Sequence, residues 1–191
     1  MKRTESEAIK QVIHLASTLK APRVAGCAER LAETAREQHW SHEDYLAAVL
    51  EREVAARNAS GAELRIRAAG LPARKTLEDF DFSLQGGLRG PLASLAAGSY
   101  LAEARNVVLL GPPGTGKTHL ATGLAIAAAH QGHRVLFAAA SEWVNRLSEA
   151  HRHGDLAREL ARLARYSLLV IDLCRLGNYA DPPSRLTAVA R

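Results

Sequence analysis

Two kinds of hydrophobic spacing divide this chain. Over the first seventy or so residues apolar positions recur every three to four, as in Ile9, Val12, Ile13, Ala16 and Leu19, which form one stripe of a helix with Pro22 just beyond it. Ser41-His42-Glu43-Asp44 then reads as a helix start, Ser41 accepting from the backbone NH of Asp44. Tyr45, Leu46, Val49, Leu50 and Val54 follow on one side, which predicts a second helix over about 42–57. Gly70-Leu71-Pro72 punctuates its end, and a helical module is expected over residues 1–75.

Residues 75–87 are irregular, and from Asn106 the pattern becomes βαβαβ. Val107–Leu110 is a short apolar run suited to a parallel strand covered on both faces, followed by a glycine-rich turn and an alanine-rich helix, Thr118–His130, which Gly132 ends. Arg134–Ala138 is the next predicted strand. Ser141 is the expected N-cap of a helix over 142–150, Asp155 that of a helix through Arg165, and Ser167–Asp172 a third strand. The fold class is therefore α/β with a parallel-sheet core, preceded by a small all-α module.

The turn between the first strand and its helix carries the chemistry. Gly111-Pro112-Pro113-Gly114-Thr115-Gly116-Lys117-Thr118 matches G-x-x-x-x-G-K-[ST], the phosphate-binding loop of P-loop NTPases. Its glycines let successive backbone NH groups converge on phosphate oxygens, Lys117 brings a mobile positive charge to the β and γ positions, and Thr118 offers a hydroxyl to Mg²⁺. The following helix adds the positive end of its dipole. A tight strand-to-helix turn alone would account for the glycines but not for Lys117 and Thr118. Such a site also needs an acid at the end of a buried apolar strand, and Leu168-Leu169-Val170-Ile171-Asp172 supplies one, 55 residues after the lysine.

Other residues carry weaker signals. His151-Arg152-His153 reads as a solvated helix end, and Trp40 and Trp143 as core or interface anchors. Phe80 and Phe82 suit an adenine pocket, and packing alone explains them equally well. The two cysteines, Cys27 and Cys174, lack metal-ligand or disulfide spacing and read as free thiols. A net charge of +5 permits a nucleic-acid partner, although most bases are interleaved with acids, as on solvated helix faces. No apolar run is long enough to cross a membrane and the N-terminus has no apolar export segment, so a cytoplasmic protein with no membrane partner is expected.

With these residues in place, the chain resembles the IstB family, ATP-binding helpers of insertion-sequence transposases and relatives of the helicase loader DnaC within the AAA+ class. The resemblance rests on the helix Leu50-Glu51-Arg52-Glu53-Val54, on Ala69–Pro72 followed by Lys75–Phe82, on the block Asn106–Leu120, and on Gly132–Phe137, in that order. It implies an AAA+ type core over 76–191, family-like to about residue 172. ATP would lie on Gly111, Pro112, Pro113, Gly114, Thr115, Gly116, Lys117 and Thr118 with the adjoining His119, and Mg²⁺ at Thr118 and Asp172. The implied partners are an IstA-like transposase, double-stranded DNA and further copies of the chain in a ring-like homo-oligomer.

The family pattern continues with a glutamate that polarises the attacking water, whereas Leu173 follows Asp172 here. Beyond Leu173 the resemblance stops, and the 19 residues after Asp172 are too few for the further strands, polar sensor and arginine finger of such ATPases. These departures suggest a truncated or frameshifted product that binds Mg-ATP with impaired hydrolysis and no catalytic residue, and they leave two apolar strands without the strand that would lie between them. A DnaC-like helicase loader and a non-catalytic, nucleotide-sensing interaction module are the alternatives.

Overall fold

The stripe that begins at Ile9 forms α1 (Glu5–Thr18), opened by a reciprocal cap in which Thr4 Oγ1 accepts from Glu7 N and the Glu7 carboxylate accepts from Thr4 N. A computed structural model describes residues 4–83, 86–173 and 187–190 of the chain. Pro22 does more than end the first helix. It occupies the first turn of α2 (Pro22–Glu37), a helix absent from the sequence-based expectation, because proline's fixed φ and missing donor suit that position. The Ser41–Asp44 cap is present, with Asp44 N donating to Ser41 Oγ at 3.1 Å, and it opens α3 (His42–Ala68), which runs well past the expected residue 57.

Contacts divide the chain into two compact units, 1–60 and 61–191. In the first, Cys27 and Leu31 of α2 pack with Val49 of α3, and Val24, Tyr45 and Ala48 border them. Glu53 joins these helices. Its buried carboxylate accepts from Arg57 Nε at 2.7 Å and from the backbone NH groups of Arg23 and Val24 at 3.0 and 3.4 Å, so it caps α2, whose N-cap residue Ala21 has no side-chain oxygen. The Arg57 bond, with help from those NH groups, holds the Glu53 carboxyl below the ordinary glutamate range.

The second unit contains α4 (Arg89–Ala96), α5 (Ser99–Ala102), β1 (Val107–Leu109), α6 (Lys117–His130), β2 (Val135–Ala139), α7 (Ala140–Arg152), α8 (Leu156–Leu163), β3 (Leu168–Asp172) and β4 (Thr187–Ala190). Neither α4 nor α5 was expected from the sequence. β2 passes directly into α7, so the helix starts at Ala140 and the expected Ser141 cap is displaced: the Glu142 carboxylate accepts from Ala139 N at 3.0 Å instead. Asp155 does precede α8, without a side-chain capping bond. Alanine-rich α6 brings Ala121, Ala125, Ala128 and Ala129 into a core with Ile66, Tyr100, Val135, Phe137, Leu168 and Val170. Trp143 is a core anchor, donating from Nε1 to Val170 O at 3.4 Å.

The strand order is β1-β4-β3-β2, with β2 and β3 parallel and β4 antiparallel to both of its neighbours. This corrects the expectation that β1 and β3 lack an intervening strand. Thr187 pairs with Leu109 and Asp172, and Val189 with Val107 and Val170, so the C-terminal segment takes the slot with reversed direction. Two facing strand edges present rows of unpaired NH and C=O groups that an extended backbone satisfies, and Thr187–Ala190 supplies it.

Two glycines in helices should respond oppositely to alanine. At Gly26 of α2 a Cβ meets nothing within 4 Å, so Gly26→Ala should stabilise the chain by up to about 1 kcal/mol through helix propensity. At Gly123 of α6 it would stand 2.6 Å from Leu77 Cδ2 and 3.0 Å from Leu77 N, and overpacking of that kind costs about 1–3 kcal/mol, enough to outweigh the propensity gain. Gly123→Ala should therefore lower stability. Thermal melting of both variants checks the pair, and equal shifts would contradict the packing.

Tyr100 offers a second test. It is buried in the core, its hydroxyl has no hydrogen-bond partner among the described residues, and burial pushes its phenol up to about 12. Tyr100→Phe removes a stranded polar group and should stabilise the fold by about 1 kcal/mol. A raised folded-state value means that the unfolded chain ionises first, so this group's share of stability is complete below pH 10 and is lost as pH rises towards about 12. That part of the alkaline transition should be missing from Tyr100→Phe in pH-dependent melting.

Candidate functional site

Between β1 and α6 the loop of residues 110–116 turns back on itself. Gly114 and Gly116 both sit at φ +81°, in the left-handed region that favours glycine, and Gly116 immediately precedes the first turn of α6. Thr115 Oγ1 donates to Pro112 O at 2.9 Å and stiffens the turn. Lys117, only 6% exposed, reaches back across the loop: its Nζ donates to Gly111 O at 2.8 Å and Pro112 O at 2.7 Å. The ammonium thus stands inside the loop that the sequence assigns to phosphate.

Asp172, 4% exposed, ends β3, and its Oδ2 accepts from Thr118 Oγ1 at 3.2 Å across 54 positions of sequence. This bond brings a carboxylate from the end of β3 to a hydroxyl on the first turn of α6, both hard oxygen donors of the type that suits Mg²⁺. Leu173 follows, half-buried. The predicted residues from Gly111 to His119 are contiguous, and folding brings Asp172 to them.

Folding also brings a segment that the sequence reading placed only loosely. A cleft of about 570 Å³ is lined by Gly114, Thr115, Gly116 and His119 on one side and by Arg74, Lys75, Asp79, Phe80 and Asp81 on the other. Phe80 borders the cleft and stacks edge-on with Phe82 at 4.9 Å, while both rings pack against the cluster of Leu92, Leu120 and Leu124. His119 contacts the same segment, its Nε2 lying 2.8 Å from Thr76 O. Gly123 was the available signal for this packing, since a glycine inside an alanine-rich helix marks a close approach. Among the described residues no helix is long and apolar enough to cross a membrane. Cys27 is a free, buried thiol, while Cys174 lies outside the described residues.

The sequence pattern of the IstB-like ATP binding protein family matches residues 14–180, past the point near 172 where the resemblance was read to end. The protein named for ATP binding in insertion sequence IS21 of Pseudomonas aeruginosa is 38% identical over 159 residues, 83% of this chain and 60% of the relative. Its counterpart in insertion sequence IS5376 of Geobacillus stearothermophilus is 32% identical over 166 residues, 86% of this chain and 66% of the relative. A similarly named protein of Sinorhizobium fredii is 35% identical over 156 residues, 81% of this chain and 52% of the relative. The chain thus spans between half and two thirds of the length of these curated relatives. With the phosphate loop, its lysine and its strand-end aspartate all in place, and with a family match over most of its length, the chain belongs to the IstB-like ATP-binding protein family.

Proposed function

We propose that this chain binds Mg-ATP on Gly111–Thr118 and acts as the ATP-binding helper of a DNA transposition system. The observation that carries the reading is the Thr118–Asp172 bond behind a loop that already holds the Lys117 ammonium. In this reading the backbone NH groups of the loop and Lys117 bind the β- and γ-phosphates, and the α6 N-terminus adds its dipole. Thr118 and Asp172 hold Mg²⁺, which neutralises phosphate charge when bound. Phe80 borders the cleft in which the base would lie. The names of the relatives support a setting in insertion sequences, and with it a transposase as partner; double-stranded DNA and further copies of the chain belong to this reading through the family resemblance alone.

The test is a titration of ATP with and without Mg²⁺. The wild-type chain should bind more tightly with the metal, whereas Thr118→Ala and Asp172→Ala should lose most of that dependence and keep metal-free binding within a few fold. Metal dependence unchanged in both variants would remove the assignment of this pair.

One residue favours a second reading, a module that senses nucleotide without turning it over. Leu173 stands where the family pattern places its water-polarising glutamate, and a leucine side chain neither accepts nor donates a hydrogen bond.

A further inference from the structure

Residues 76–82 lie against one face of the phosphate loop and its helix. The positions they meet are Gly116, His119, Leu120 and Gly123, at the spacing that shares a helix face. Phe80 Cε2 lies 2.5 Å from where a Gly116 Cβ would stand, and Leu77 Cδ2 lies 2.6 Å from the corresponding point at Gly123. These contacts are apolar and fit by shape, without hydrogen-bond direction. A contact with hydrogen-bond direction is that between the His119 ring and Thr76 O, 2.8 Å long. A carbonyl oxygen only accepts, so Nε2 carries the proton and donates. The same ring meets Phe80 edge-on, with centroids 5.3 Å apart.

The turn it grips is stiff. Asp79 Oδ2 accepts from Thr76 N at 2.9 Å and from Thr76 Oγ1 at 3.0 Å, closing residues 76–79 on themselves. Phe80 follows directly and abuts Gly116, so a shift of the turn changes the packing behind the phosphate loop. His119 in turn is the residue after Thr118, and its grip anchors the first turn of α6.

We propose that His119 is a positioning residue: it locks the 76–80 turn in register against the phosphate loop, and this lock sets the affinity of the loop for a polyphosphate. The proposal rests on the reading of that loop as an ATP site. It assigns the polyphosphate part of the ligand, not the base, as the part that feels His119.

The experiment uses the full chain, with ATP and inorganic tripolyphosphate as separate probes and amide hydrogen exchange over 76–82 as a second readout. His119→Ala should raise the Kd of both probes about five- to tenfold, the worth of one hydrogen bond, and speed exchange across 76–82. His119→Gln places an amide NH near the position of Nε2 and should recover most of the affinity. Asp79→Ala loosens the same turn without altering α6 and should weaken both probes comparably, with the double variant losing less than the product of the single effects. Unchanged affinity in His119→Ala overturns the proposal, as does weakening of ATP with no change for tripolyphosphate. A wild-type chain that binds neither probe overturns the ATP reading itself, whereas a binding chain indifferent to residue 119 overturns this proposal alone.

Discussion

Replacing Lys117 by alanine should reduce ATP affinity by on the order of 10²-fold or more, while leaving the thermal melt within about 1 kcal/mol of wild type. The two halves of this expectation have different origins. The ammonium lies within the loop backbone, donating to Gly111 O and Pro112 O, and charge-assisted bonds to phosphate are about twice as strong as neutral ones. The carbonyls it leaves behind belong to half-buried and exposed residues, so water replaces the lost donor at small cost. Titration of a fluorescent ATP analogue alongside calorimetry measures both quantities. Undiminished binding would remove the phosphate-loop assignment, and a collapsed melt would make the lysine structural.

Steady-state phosphate release by the wild-type chain should be indistinguishable from that of the Lys117→Ala control. In the proposed reading ATP needs the loop and its metal dependence needs the Thr118–Asp172 pair, but hydrolysis also needs a water held in line with the γ-phosphate. The carboxylate of Asp172 is engaged by Thr118 at 3.2 Å, and Leu173, the next residue, has no polar atom on its side chain. Loss of a general base or water-orienting group costs about 10²- to 10⁴-fold in rate. Turnover clearly above the lysine control would refute this and point to another residue as the water-holding group.

Much of the candidate site was legible because a phosphate loop is contiguous. Its motif spans the backbone of Gly111–Gly116 and two neighbouring side chains, so spacing alone identifies it. Asp172 was legible by a weaker rule, an acid at the end of an apolar strand, and that rule did not say what the acid touches. The helices were harder. Pro22, just beyond the predicted first helix, begins α2, and proline is compatible both with the end of one helix and with the first turn of the next. α4 and α5 escaped because an eight-residue and a four-residue helix give the 3.6 period too little length to declare itself.

By itself, the sequence determined the α/β class, the phosphate loop with Lys117 and Thr118, and the strand that ends in Asp172. Each of these is carried by neighbours along the chain, where propensity and periodicity act. Only the tertiary structure decided that Asp172 meets Thr118, that the Thr76–Phe80 turn lies on Gly116 and His119, and that β4 runs antiparallel between β1 and β3. The physical reason is common to all three: they join segments far apart in sequence, where partner and register follow from which unsatisfied edge or cavity is left to fill, a property of the packed surfaces and not of any local stretch.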